Sequence, residues 1–165
     1  MDDGSWIRLK AMDIKEFDFT EYGTYYNMKE DRERVYCTIG ENFEDYMTRT
    51  PLIDTGGHLG YTIGMGAPYA VKSMEKHDHT QEAMFCAARP IVLCIAKSNG
   101  DEPPRAEDVR AVILNPGDAA VIDRNIWHDA CHGLGEKAAY YYLASQGPAP
   151  AKWIEVAGRE VRVDV

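Results

Sequence analysis

Short apolar segments, separated by glycine, proline and charged turns, fill the chain from Gly56 to its end. They include LGYTIGM, IVLCIA, VRAVIL, DAAVID, AAYYYLA and REVRVDV. Each segment has the length of a strand, and the glycines and prolines between them are turn signals. IVLCIA is apolar at every position, which is typical of a strand buried on both faces. The pattern therefore predicts an all-β sandwich or barrel.

A short helix is expected before these strands. The side chain of Asp13 can cap a helix, and Glu16 follows three residues later, as in a capping box. Ile14 and Phe17 supply apolar surface, and Gly23 can end the element. We predict about two turns of helix on the outside of the sheet, between Asp13 and Gly23.

Composition limits the classes of function. A chain of 165 residues with 45% hydrophobic residues fits a single soluble domain, residues 1–165. Its net charge of -9 argues against nucleic acid and anionic membranes as partners, and no apolar run approaches the length of a membrane span. The first residues, MDDGSWIRLK, lack a secretion-signal pattern, and the four cysteines form no CxxC pair. We therefore expect a cytoplasmic protein with reduced thiols.

The stretch EKHDHTQEAMF, residues 75–85, holds the first candidate site. Positions i and i+2 diverge on a helix but share one face of a strand, about 6.5–7 Å apart. His77 and His79 therefore converge only if the segment is extended. Glu82, three residues after His79, would then face the opposite way unless a turn or bulge intervenes. Glu75 and Lys76 are interpreted as a surface ion pair, with contact to a substrate carboxylate as the alternative for Lys76.

A second polar stretch, NPGDAAVIDRNIWHDA, spans residues 115–130 and includes His128. We predict that the two stretches close over one pocket, with the three histidines inside. Arg124 lies four positions before His128, so on one strand it would share the face of that histidine and clamp an anionic substrate. A salt bridge at the strand turn is its alternative role. Tyr141 is assigned to substrate binding, since alternate residues of its tyrosine run face inward.

These stretches carry a family resemblance. His77-x-His79, followed by Pro116-Gly117-Asp118 and a later His128, resembles the cupin pattern. EKHDHTQEAM (residues 75–84), VRAVI (residues 109–113) and RNIWH (residues 124–128) are more closely similar to the ureidoglycolate lyase family, which is itself cupin-like. The similarity covers roughly residues 13–143. It departs at Glu82, where the family usually has Gln, and at Asp78, where it usually has Pro.

The resemblance implies a cupin-type, jelly-roll-like double-sheet barrel. It implies a carbon–nitrogen lyase that converts a small anionic substrate, ureidoglycolate, to glyoxylate and urea. Imidazole and carboxylate ligands suit a divalent transition metal such as Mn, Fe, Ni or Zn. The expected metal ligands are His77, His79, Glu82 and His128; the expected catalytic residues are His77, Glu82 and His128; the expected substrate contacts are Lys76, Arg124 and Tyr141.

Two other functions remain open from the sequence. One is a metal-dependent cupin with a different reaction, such as an isomerase or a dioxygenase. The other is a cupin that binds a small molecule without catalysis. In each case a homodimer is expected, from the resemblance and because short strands at both ends leave sheet edges to be covered.

Overall fold

A computed structural model describes residues 4–165 of the chain. These residues form strands and two single turns of 3-10 helix, Ile14–Glu16 and Ala106–Asp108, and they contain no helix that could cross a membrane. The strands, in chain order, are β1 (Trp6–Lys10), β2 (Met12–Asp13), β3 (Gly23–Asn27), β4 (Val35–Ile39), β5 (Glu44–Thr48), β6 (His58–Gly64), β7 (Tyr69–Val71), β8 (Ser73–Met74), β9 (Glu82–Cys86), β10 (Ile91–Ala96), β11 (Arg110–Leu114), β12 (Asp118–Ile122), β13 (Trp127–His128), β14 (His132–Gly133), β15 (Ala138–Ala144), β16 (Ile154–Glu155) and β17 (Glu160–Asp164).

Two five-stranded sheets form the walls of a barrel. The front sheet has the order β3-β12-β9-β15-β6, and the back sheet has the order β13-β10-β11-β2, with β14 also paired to β10. Met84 and Tyr140 from the front sheet and Leu93 and Leu114 from the back sheet belong to one buried cluster between the sheets. The double-sheet, all-β architecture predicted from the spacing of the apolar segments is confirmed.

Strand β10 is buried on both faces. Its odd-numbered positions, such as Leu93, contact the core between the two sheets. Its even-numbered positions, such as Cys94, contact a second core that includes Val161 and Val163 of the small sheet β1-β17-β7. A strand with apolar layers on both sides needs apolar residues at every position, which explains the continuous run IVLCIA.

The prediction of an N-terminal helix is wrong. The Asp13 carboxylate accepts a hydrogen bond from the backbone N–H of Lys15, as expected, but only the single turn Ile14–Glu16 follows, and Phe17 is already extended. Phe17 and Phe19 both pack against the core between the sheets. A helix would turn residues two positions apart away from each other, whereas an extended chain allows both rings to reach that core.

The substitution Ile95→Ala is expected to lower the free energy of unfolding by about 2–5 kcal/mol, because it opens a cavity between the two sheets. Ile95 is fully buried, whereas Ile39 on β4 is 74% exposed. Ile39→Ala, the matched control, is expected to change stability by less than about 0.5 kcal/mol. Urea unfolding of both variants measures the difference. Equal losses of stability in the two variants would contradict the position of Ile95 in the core between the sheets.

Candidate functional site

The two histidine-bearing stretches are joined through their backbones. The N–H of Glu75 donates to the carbonyl of His128 (2.9 Å), and the N–H of His128 donates to the carbonyl of Glu75 (2.8 Å). The N–H of Asn125 donates to the carbonyl of His77 (2.7 Å). Residues 75–77 therefore run antiparallel beside residues 125–128.

Four side chains converge at this junction: Glu75, His77, Glu82 and His128. One potential metal-ligating atom from each lies within 4.8 Å of the others. The Nε2 atoms of His77 and His128 lie 2.9 and 3.1 Å from the same carboxylate oxygen, Oε2 of Glu82. Oε1 of Glu75 lies 3.8 and 3.7 Å from these two nitrogens. The cluster thus offers two imidazole and two carboxylate groups.

Glu82 reaches the cluster because the chain bends before it. Residues 78 and 79 form a bend, and strand β9 begins at Glu82. Along β9, Glu82 shares the inward face with Met84, which packs in the core between the sheets. Only 8% of the Glu82 side chain and 2% of the His128 side chain are exposed. The bend thus supplies the turn that the sequence required for Glu82 to join a histidine.

The two carboxyl groups have different proton affinities. Burial acts to raise the pKa of Glu82, but the hydrogen bonds to His128 and His77 outweigh it and lower this pKa to about 2. Burial alone would lower the pKa of His128, yet its hydrogen bond to Glu82 raises it above the ordinary value. For Glu75, burial is the largest cause, and its pKa is raised. Glu82 is therefore the anion of the cluster, and Glu75 is the carboxylate that binds a proton more readily.

The ring of His128 is fixed in orientation. Its Nδ1 lies 3.1 Å from the carbonyl oxygen of Ile126, which can only accept, so Nδ1 carries the proton. Nε2 then faces the Glu82 carboxylate at 3.1 Å, and two lone pairs at that distance repel unless a proton or a cation lies between them. A ligating histidine held by a backbone carbonyl in this way is usual at metal sites, and the mixed nitrogen and oxygen set suits Mn, Fe, Ni or Zn.

Three residues of the cluster, Glu75, His77 and Glu82, line a pocket of about 930 Å³, and His128 is buried behind them. The pocket is walled by the inward faces of the front sheet and by the loop that follows β15. Among the lining residues are Thr62 of β6, Tyr140 and Tyr142 of β15, and residues 145–151 of the loop. The pocket is large enough for a small organic acid.

His79 and Tyr141 lie outside the cluster. Nε2 of His79 is 3.0 Å from the carbonyl oxygen of Ser145, on the rim of the pocket. Tyr141 faces the other side of the front sheet, where its ring lies 6.0 Å from that of Phe85. The bend at residues 78 and 79 separates His79 from His77, and strand alternation turns Tyr141 outward while Tyr140 and Tyr142 face the pocket.

Arg124 is also separated from His128. A turn at residues 124 and 125, with Asn125 at a φ of 64°, interrupts the strand. The four-residue spacing between Arg124 and His128 therefore does not place their side chains on the same face. Arg124 forms an ion pair with Asp54 at 2.8 Å and lines a neighbouring cleft rather than the pocket of the cluster. Asn tolerates this left-handed conformation better than most residues, so the Asn after Arg124 was a signal for the turn.

Lys76 lies at the boundary between that cleft and the pocket and lines both. Its Nζ donates to Oγ of Ser98 (2.7 Å) and to the carbonyl of Gly100 (2.6 Å), and it lies 4.6 Å from the centre of the Trp127 ring. These partners are uncharged. Within residues 4–165 no carboxylate lies within ion-pair distance of this ammonium group, so it forms no ion pair at the boundary of the pocket.

Glu75 is the cluster residue that the sequence analysis missed, since it was interpreted as half of a surface pair. The signal was present in the same stretch. Glu75 and His77 are two positions apart, as are His77 and His79, and an extended chain puts either pair on one face. The structure keeps residues 75–77 extended along β13, and the bend comes only after them.

Comparison with known proteins gives a family and a fold. A family model described as ureidoglycolate lyase matches residues 8–160. No curated protein matches the sequence. Among solved structures, a dTDP-6-deoxy-D-glucose-3,5-epimerase from Legionella pneumophila is similar over 71% of this chain and 66% of its own, with 12% identity and a TM-score of 0.50. The RmlC protein from Streptococcus suis shows 8% identity and a TM-score of 0.47, over 70% of this chain and 63% of its own.

The chain thus spans less than two thirds of the length of these two structural neighbours. At 12% identity the Legionella protein shows the fold alone, and that fold is a cupin-like barrel. This agrees with the sequence prediction of a cupin-type barrel.

Proposed function

Because this chain belongs to the ureidoglycolate lyase family, an enzyme family of the carbon–nitrogen lyase type, we propose that its pocket cleaves ureidoglycolate to glyoxylate and urea. The observation that carries the proposal is the convergence of Glu75, His77 and Glu82, which line one pocket, with the buried His128 behind them. Their arrangement offers both a fixed anion and a carboxylate that takes up a proton readily.

The reaction requires one proton to move. Ureidoglycolate carries a hydroxyl and a urea nitrogen on the same carbon. We assign Glu75 as the group that accepts the hydroxyl proton, because burial raises its pKa and makes it the stronger base of the two carboxylates. As the carbonyl of glyoxylate forms, the carbon–nitrogen bond breaks and its electron pair moves to the urea nitrogen. That nitrogen takes up the proton from Glu75, so the products are balanced.

Glu82 holds the two imidazoles in place for this step. Its Oε2 contacts both Nε2 atoms, and it stays anionic because of them. His128 is buried and cannot move far, whereas 15% of the His77 side chain is exposed toward the pocket. We propose that His77 contacts the substrate directly and that Glu82 and His128 position it.

The same four side chains would hold a divalent transition metal. When bound there, such an ion would supply Lewis acidity that makes the substrate hydroxyl easier to deprotonate. The fit rests on the donor set and on the orientation of His128 by the carbonyl of Ile126. Glu75 takes the place in this proposed ligand set that the sequence analysis gave to His79.

The substrate carboxylate needs a cation. Lys76 is our candidate, since its ammonium group is held by neutral partners at the boundary of the pocket. Arg124 is not retained in this role, because its guanidinium is paired with Asp54 and lines the other cleft. Tyr140 and Tyr142 replace Tyr141 as the proposed tyrosine contacts.

Release of glyoxylate from ureidoglycolate by the purified protein tests the proposal. Turnover that depends on enzyme concentration is expected, both as purified and after addition of Mn²⁺, Ni²⁺ or Zn²⁺. No release, with metal bound to the cluster, would overturn the lyase assignment in favour of a metal cupin with another reaction, such as an isomerase or dioxygenase. Neither release nor metal would favour a non-catalytic small-molecule-binding protein.

We also propose a cytoplasmic location and a homodimeric assembly. The four cysteines all lie in the described part of the chain and are free thiols, which suits a reducing compartment. The homodimer rests on the need to cover open sheet edges.

A further inference from the structure

The loop that follows β15, residues 145–153, forms one wall of the candidate pocket and is called the pocket loop below. Every residue of it except Lys152 lines the pocket. Two of its residues are prolines, which have no backbone N–H to donate. Residues 147–153 make no backbone hydrogen bond to the described part of the chain. The position of this wall therefore depends on how the two ends of the loop are held.

Both ends of the pocket loop are attached to neighbouring elements. At its far end, Ile154 of β16 pairs with Met74 of β8, directly before the cluster residue Glu75. At its start, the N–H of Ser145 donates to Oγ1 of Thr80 at 3.0 Å. The N–H of Gln146 donates to Nδ1 of His58 at 3.1 Å. The start of the loop is thus attached to the stretch that carries the histidines.

His79 holds the start of the pocket loop by two separate contacts. Its Nε2 lies 3.0 Å from the carbonyl oxygen of Ser145, which can only accept, so Nε2 carries a proton and donates it. Its ring also packs on Gly147, where a Cβ would lie 2.8 Å from Cε1 and 2.9 Å from Nε2 of His79. Gly147 does not have a positive φ, so the nearness of the ring is what requires a glycine there.

We propose that His79 is a positioning residue, which holds the pocket loop against the substrate and so strengthens substrate binding without taking part in the chemistry. The identity of the substrate, ureidoglycolate, rests on the function proposed above. A loop that is already ordered costs less free energy to bind against than one that the substrate must order. Glu75 and His128 are held by backbone hydrogen bonds to each other, so the reacting groups do not depend on the loop.

His79→Ala is therefore expected to raise KM for ureidoglycolate about tenfold while kcat stays within about threefold, the pattern of lost uniform binding. N-carbamoylglycine has the ureido and carboxylate groups of ureidoglycolate but no hydroxyl to deprotonate, so it binds without reacting. Its dissociation constant, measured by calorimetry, should rise by a similar factor. His79→Gln keeps an N–H that can donate to the carbonyl of Ser145 and should lie closer to the wild type.

Gly147→Ala tests the second contact of His79. The added methyl group collides with the His79 ring, so the loop must move, and KM is expected to rise as it does in His79→Ala. In the His79→Ala background the ring is absent and the same methyl group should add little, so the two effects should not add. Gly56→Ala is the matched control, because a Cβ there meets no atom within 4 Å, although the Gly56 carbonyl also contacts Ser145.

Trypsin gives a measurement that does not depend on the reaction. Lys152 is exposed and lies within the pocket loop, so the rate of cleavage after it reports how often the loop leaves its place. Mass spectrometry of the fragments should show cleavage at this bond roughly tenfold faster in His79→Ala and Gly147→Ala than in the wild type or Gly56→Ala.

Equal cleavage rates in the wild type and His79→Ala would overturn the anchoring of the loop by His79. An unchanged KM, or additive effects of His79→Ala and Gly147→Ala, would also contradict the proposal. A wild type that released no glyoxylate would refute the lyase assignment alone. Faster cleavage of His79→Ala, with weaker binding of N-carbamoylglycine, would still support the role of His79.

Discussion

Glu82→Gln is expected to lower kcat/KM for ureidoglycolate by roughly 10²–10⁴-fold, the range of a lost acid–base or charge-stabilising group. The substitution keeps the size of the side chain and removes the anion that contacts both His77 and His128. The fold should survive. His128 can become neutral, keep its Nδ1 bond to the carbonyl of Ile126, and accept a hydrogen bond from the Gln amide at Nε2.

Asp78→Asn is the matched control, because it also changes a carboxylate to an amide in the same stretch. The Asp78 side chain is 87% exposed, and its nearest ionic partner is His79 at 3.5 Å. The kcat/KM of the Asp78→Asn variant is expected to stay within about threefold of the wild type, since a solvent-exposed charge contributes little to interactions with other groups. Steady-state glyoxylate release decides the matter. Unchanged or improved turnover by Glu82→Gln would mean that the Gln usual in the family serves equally well, and that the anionic charge of Glu82 is not needed to position His77 and His128.

His77→Ala is expected to weaken divalent-metal binding by roughly 100-fold or more. Loss of a residue that merely orients a ligand costs about 10–100-fold in affinity, and His77 would be a ligand itself. The wild type should bind close to one ion per chain. Calorimetric titration with Mn²⁺, Ni²⁺ and Zn²⁺, together with metal analysis of the purified protein, measures both the affinity and the number of ions.

His79→Ala provides the control for this experiment. His79 is two residues away on the same stretch, but its Nε2 contacts the carbonyl of Ser145 on the rim of the pocket instead of the cluster. Its loss should leave the affinity for metal nearly unchanged. If His79→Ala lost the ion and His77→Ala kept it, the ligand set first expected from the sequence would replace the cluster containing Glu75. If the wild type bound none of these ions, the proposed metal site would be wrong.

Local patterns in the sequence predicted those features that depend on neighbouring residues in one strand. The apolar run of β10 indicated a strand buried on both faces, and the structure places a core on each side of it. The histidine stretches indicated a family whose model matches most of the chain. The N-terminal helix failed because its capping signals are worth only about 1 kcal/mol. Packing of Phe17 and Phe19 against the barrel core outweighed them.

The membership of the site depended on where strands end. Residues separated by an even number of positions share one face only within an unbroken strand. A bend at residues 78 and 79 and a turn at residues 124 and 125 interrupt the two stretches. These interruptions exclude His79 and Arg124 from the cluster and bring in Glu82. Glu75 stays with His77 because no turn separates them.

The sequence by itself determined the all-β class, the doubly buried strand and the two stretches that meet, because alternation along a strand is set by backbone geometry alone. Only the tertiary structure decided which carboxylates face the histidines and which of them stays anionic. Those properties depend on burial and on contacts between residues far apart in the chain, such as Glu82 with His128. The physical reason is that a pKa or a set of metal ligands depends on the distances between groups in the folded protein. The spacing of residues along the sequence does not specify those distances.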